Sequence, residues 1–194
     1  MELRPVTLAT DWSALAGAEG PALFVPALAR FPAAVRELMA LLPVTDINGS
    51  LIRTLADAPG QAPGSTVAGL FAVDPFLDPG ELRAALRRAG IGRVANYPTV
   101  QLFDGATAAG FEVVGYDVRA EFALLRSLAD SGLDPVGYVT SPAIARIALD
   151  AGCRTLVVHP GLGPGSRLRG SSDQIAELAA ESGAALYRHA LPAS

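Results

Sequence analysis

Lysine is missing from this sequence: all 15 basic residues are arginine. Without a side-chain amine, lysine-dependent aldolase chemistry and covalent pyridoxal chemistry are excluded. Cysteine occurs once, at Cys153, so no internal disulfide can form, which fits a reducing compartment. No apolar run approaches the ~18–20 residues a membrane-spanning helix needs. The opening MELRPVTLATDW has no basic patch followed by a long apolar stretch, so no signal peptide is visible. The chain is therefore expected to be soluble and cytoplasmic, with no membrane partner. Basic clusters are also missing at a net charge of −4, which argues against a nucleic-acid partner. With 51% hydrophobic and 18% charged residues, the chain is too aliphatic for disorder. Its 194 residues can bury a real core, and no linker or composition shift divides them, so a single domain over residues 1–194 is expected.

One pattern does recur. A helical stretch closes on a glycine, a short aliphatic run follows, and then a polar or Pro/Gly-rich turn. The closing glycines are Gly20, Gly90, Gly132, Gly152 and Gly183, suited to the left-handed cap of a helix. The runs after them read as buried strands: Val6–Ala9, Leu23–Pro26, Thr66–Phe71, Arg93–Asn96, Val136–Val139, Thr155–Val158 and Ala185–Arg188. Helices are expected to start near Ser13, Ala33, Asn48, Pro79, Arg119, Pro142 and Ser172, with Pro79 and Pro142 at the first-turn position that needs no amide donor. Residues 89–98 also align with residues 151–160. Repeated strand–helix units give parallel strands joined by right-handed crossovers. The fold class is thus α/β, a parallel (β/α) TIM-barrel-like fold, with an open doubly wound sheet as the alternative.

Chemistry in such a barrel sits on the loops after the strands, and those loops hold the candidate residues. His159 closes an apolar strand and opens a glycine-rich loop, where an imidazole titrating near neutrality suits acid–base work; a satisfied structural histidine is the other reading. Both histidines of the chain, His159 and His189, fall at such strand ends. Asp74 is a second candidate catalytic carboxylate, or a turn residue before Pro75. Asn96, Thr99 and Tyr116 are candidate substrate contacts, Tyr116 reading equally as a rim aromatic. The loop containing Gly161, Gly163 and Ser166 has backbone amides suited to an anion. It lacks a P-loop lysine and the Rossmann spacing. Asp46, Asp74 and Asp104 are the oxygen donors available to a weakly held Mg²⁺, although Asp46 also reads as a helix cap and Asp104 as a turn.

The blocks LLPVTDIN, AGLFAVDPF, ANYPTVQLFDG, VVGYDVRAEF and VVHPGLGPGS, in this order, resemble the phosphoenolpyruvate hydrolase-like TIM-barrel family. The resemblance covers nearly the whole chain. It implies a β/α barrel related to phosphoenolpyruvate and pyruvate enzymes. Two departures stand out. The family's asparagine-rich loop after strand two is here Pro26-Ala27-Leu28-Ala29-Arg30, without its polar groups, and the family's last helix and eighth strand have no counterpart before Ser194.

Two functions from different classes follow. One is a lyase or hydrolase acting on a small carboxylate or enolizable carbonyl compound. The other is a barrel that has lost its chemistry and binds a ligand or partner. A barrel of about seven strands with the eighth missing would leave strands one and seven with open edges. On that ground a homodimer covering those edges is expected.

Overall fold

The computed structural model describes residues 3–40, 42, 44–58, 60–103, 105–159 and 168–190, the side chains of residues 37, 38 and 168–171 excepted. Seven strands lie where the aliphatic runs put them: β1 (Arg4–Ala9), β2 (Ala22–Phe24), β3 (Thr66–Gly69), β4 (Arg93–Ala95), β5 (Asp134–Val139), β6 (Thr155–Val158) and β7 (Ala185–His189). Each pairs in parallel with the next, and β1 pairs in parallel with β7, aligning Val6 with His189. The barrel is closed. The ladder runs past the last strand residue, where the Ala190 amide donates to the Val6 carbonyl at 2.9 Å. This corrects the expectation of open edges: β1 itself supplies the partners that an eighth strand would have supplied. The edge-covering argument for a homodimer therefore falls.

The helices are α1 (Trp12–Ala16), α2 (Arg36–Ala40), α3 (Ile47–Ala56), α4 (Pro79–Ala89), α5 (Gly105–Val113), α6 (Val118–Asp130), α7 (Pro142–Asp150) and α8 (Leu168–Glu181). Their starts follow local capping chemistry. Asp11, Asp46, Asp78, Asp117 and Ser141 each accept an amide of the first turn. Gly90 ends α4 at φ 71°, a conformation that costs other residues a Cβ clash. Two features depart from the sequence reading. The helix expected near Ala33 is a pair of 3-10 turns, Pro26–Arg30 and Ala33–Val35, followed by the short α2. Moreover, α5 lies in a stretch read as loop.

Strand alternation sorts the core into two layers. Phe24, Ala68, Val94, Val139, Leu156 and Val158 face the helices. Leu23, Val25, Val67, Ala95, Tyr97, Val136, Tyr138 and Val157 pack together inside the barrel, with Tyr187 against them. Ala27 and Leu28, both buried, join the interior cluster from the turn after β2. That gives the apolar loop at Pro26–Arg30 its physical reason, since it plugs one sector of the strands' C-terminal end. Gly69 fits the same narrow interior. A Cβ there would come within 2.6 Å of the Tyr97 carbonyl and of Val25 Cγ2.

Candidate functional site

Alternation also decides where the site residues point. His159 follows Val157 on the interior face, and His189 follows Tyr187 on the same face. Both imidazoles are fully buried, with ring centroids 6.4 Å apart. Tyr138 stands beside them: its hydroxyl is 2.7 Å from His189 Nδ1, and its ring is 6.0 Å from that of His159. Tyr97 completes the group, 4.8 Å from Tyr138 and 5.2 Å from His189 between ring centroids. Burial pushes both imidazoles down to a pKa of about 4, and for His189 the neighbouring His159 adds to the effect. Both are therefore neutral at physiological pH. A neutral imidazole can donate its N–H to a carbonyl oxygen, or accept a hydrogen bond from a hydroxyl, without carrying a charge into the barrel.

Asn96 lies on the opposite face of β4, in line with Val94. Its Nδ2 donates to Glu121 Oε2 at 2.8 Å and to the Tyr138 carbonyl at 3.2 Å, and its Oδ1 accepts the Tyr138 amide at 2.8 Å. Glu121, on α6 and fully buried, is the centre of this network. It also accepts Thr99 Oγ1 at 2.8 Å, the Val100 amide at 2.8 Å and Gln101 Nε2 at 3.1 Å. Burial raises its carboxyl pKa, and these four donors pull it back. The network fixes the chain after β4 against β5 and so positions Tyr97 and Tyr138. Asn96 and Thr99 are thus engaged with protein groups in this structure. Glu121 was missed by sequence reasoning. A signal was present, because a carboxylate shares the apolar stripe of α6 with Phe122, Leu125 and Leu128, a place charges avoid unless partnered.

Asp74 belongs to a second feature, a groove of about 690 Å³ whose walls include Asp46, Asn48, Phe71, Asp74 and Tyr116. His159, His189 and Asn96 are not among its lining residues. Phe71 connects the two regions, since it lines the groove and packs against the barrel-interior cluster. Asn48 fixes this wall. Its Nδ2 donates to the Phe71 carbonyl at 2.9 Å and to Asp74 Oδ2 at 3.0 Å, and its Oδ1 accepts the Phe71 amide at 3.1 Å. Asp74 Oδ1 also accepts the Phe76 amide at 2.9 Å.

Asp46 and Asp74, the two described carboxylates of the candidate metal set, are held by protein groups. Asp46 caps α3 through the Gly49 amide and pairs with Arg53 at 3.2 Å, while both oxygens of Asp74 are engaged as described. Among the described residues, no three His, Cys, Asp or Glu side chains gather into a group that could hold a metal ion. Asp104, Gly161, Gly163 and Ser166 lie outside the described residues. No helix among the described residues is long and apolar enough to cross a membrane.

Comparison with known proteins agrees with this architecture. The chain is 34% identical over 158 residues to the uncharacterized protein y4oT of Sinorhizobium fredii (strain NBRC 101917 / NGR234), covering 80% of each. It is 31% identical over 126 residues to the ToMV resistance protein Tm-1(GCR237) of Solanum lycopersicum, and equally to the ToMV susceptible protein tm-1(GCR26). Those matches take in 64% of this chain but only 17% of each tomato protein. The profile of the phosphoenolpyruvate hydrolase-like proteins matches residues 22–187, and the chain belongs to that family.

Proposed function

We propose that the chain is a cytoplasmic small-molecule enzyme of the lyase or hydrolase type, acting on a small carboxylate or enolizable carbonyl compound. The observation that carries this reading is the buried group of two neutral histidines and Tyr138 at the C-terminal ends of the strands. His159 serves as the general acid/base, taking a proton from the carbon beside a substrate carbonyl and returning it to that carbon or to the enolate oxygen. Tyr138 and His189 share a hydrogen bond that holds the second imidazole in place. Asn96 and Thr99 act through Glu121 as positioning groups. Asp74 assists from the adjoining groove, and the amides of the Gly161–Ser166 loop hold the anion.

The test is a panel containing phosphoenolpyruvate and pyruvate, followed by phosphate release and by NMR-detected exchange of carbon-bound protons with deuterated solvent. Turnover that falls at least about a hundredfold in His159→Gln supports the assignment, that factor being the low end of a general acid–base contribution. Saturable binding without turnover by the unmodified protein overturns it in favour of a non-catalytic binding barrel. One observation favours that second reading: both imidazoles are fully buried, so the barrel centre is packed.

A further inference from the structure

We infer that the groove beside β3 binds an organic cation carrying an apolar group, such as a quaternary or protonated amine. Its volume of about 690 Å³ suits a small-molecule ligand. Five aromatic rings line it: Phe71, Phe76, Phe103, Phe111 and Tyr116. Four of them, Phe71, Tyr116, Phe111 and Phe103, follow one another in contact, and Phe76 stands exposed. Phe103 and Phe111 have ring centroids 4.6 Å apart, Phe111 and Tyr116 stack at 6.1 Å, and Phe71 meets Tyr116 edge-on at 6.3 Å.

The charge in the groove has one sign. Asp46, Asp74, Asp78 and Glu81 line it, and among the described residues no arginine or histidine does. Arg53 offsets Asp46 only, through an exposed pair that solvent screens. An anion entering here would meet both carboxylates and the negative faces of aromatic rings. A cation is favoured by both, because the ring quadrupole attracts positive charge over the face of the ring. Asp74 is preorganised for this purpose, being held by Asn48 and the Phe76 amide and so unable to swing away. This inference goes beyond the proposed activity. The anionic substrate is assigned to the histidine group, whose imidazoles do not line the groove; Asp74 is the groove residue given a part in that activity, and neither test substitution is made at it.

The test uses benzyltrimethylammonium as the probe and phenylacetate as an anion of similar size, with calorimetry and saturation-transfer NMR on the whole protein. The cation is expected to bind saturably at one site, and phenylacetate to show no binding there. Phe111→Leu should weaken the cation about tenfold, the loss of one well-placed ring. Glu81→Gln should weaken it about threefold, as an exposed charge does, with a further decrease at high salt. Neither change threatens the fold, since Glu81 is exposed and α5, which carries Phe111, buries no side chain. His159→Gln should leave cation binding intact, which separates this test from the one for catalysis. Phenylacetate binding as tightly as the cation, or cation affinity unchanged in both groove variants, overturns the inference.

Discussion

Replacing Glu121 by alanine tests whether the buried carboxylate holds the C-terminal half of the barrel together. Four donors converge on it, and two of them have another acceptor: Asn96 Nδ2 and Gln101 Nε2 both also reach the Tyr138 carbonyl. The Val100 amide and the Thr99 hydroxyl donate to Glu121. Orphaning two buried donors costs about 1–3 kcal/mol each, so Glu121→Ala should lose roughly 2–6 kcal/mol, reaching into the upper range for a single substitution. Glu121→Gln keeps the shape and one acceptor oxygen but points an NH₂ at a donor. It also removes a buried charge, so its loss should be smaller, about 1–2 kcal/mol. Urea unfolding followed by far-UV circular dichroism gives both numbers. The near-UV signal of Tyr97 and Tyr138 reports whether the rings lose their fixed packing. Glu121→Ala within about 1 kcal/mol of the parent protein would refute the reasoning, because it would mean that the orphaned donors find water or other partners at no cost.

Acid should weaken the fold before the carboxylates titrate. His159 and His189 titrate near 4 when folded and near 6.5 when unfolded, so the unfolded chain binds more protons across that window and stability falls as pH drops through it. For the pair, the loss between about pH 7.5 and about pH 5 is roughly 2–4 kcal/mol, read from urea midpoints. Glu121, raised instead of lowered, works in the opposite sense. A His159→Gln/His189→Gln double variant should flatten the profile, and an unflattened profile would place the titration elsewhere. Gly69→Ala should destabilise by about 1–3 kcal/mol, because its methyl group would press on the Tyr97 carbonyl, a backbone atom with little room to move; an unchanged melting temperature would contradict that. Cys153, buried with its thiol pushed up to about 12, should react with Ellman's reagent only at the rate of unfolding, and fast labelling of the native protein would count against its burial.

The strands were legible because all carry an aliphatic run, and β4 to β7 each follow a left-handed glycine that ends the preceding helix, at Gly90, Gly132, Gly152 and Gly183. The closure of the barrel was not, because it depends on Arg4–Val6 lying beside Tyr187–His189, a pairing between the two ends of the sequence. The two histidines were found together through strand-end position. Tyr138, which touches one of them, was overlooked as an ordinary member of an apolar strand. Asn96 was noticed for its place at a strand tip, yet alternation puts it on Val94's face, toward α6. Asp46 and Asp74 were read as having both structural and chemical uses, and their local hydrogen bonds show the structural ones. Helix α5 escaped because GATAAGFEV has no clear apolar stripe, and in the fold it buries no side chain.

That last feature has a kinetic consequence for the groove. One wall is anchored by the three hydrogen bonds of Asn48, so moving it means breaking contacts between a buried amide and the backbone of Phe71. The same groove is lined by Phe111 on α5, a helix with no fully buried side chain. The free energy of local opening follows buried contacts, so α5 should exchange its amide hydrogens far sooner than α3 or α6. The residence time of any occupant is then set by how often α5 frays, while the anchored wall governs its equilibrium affinity.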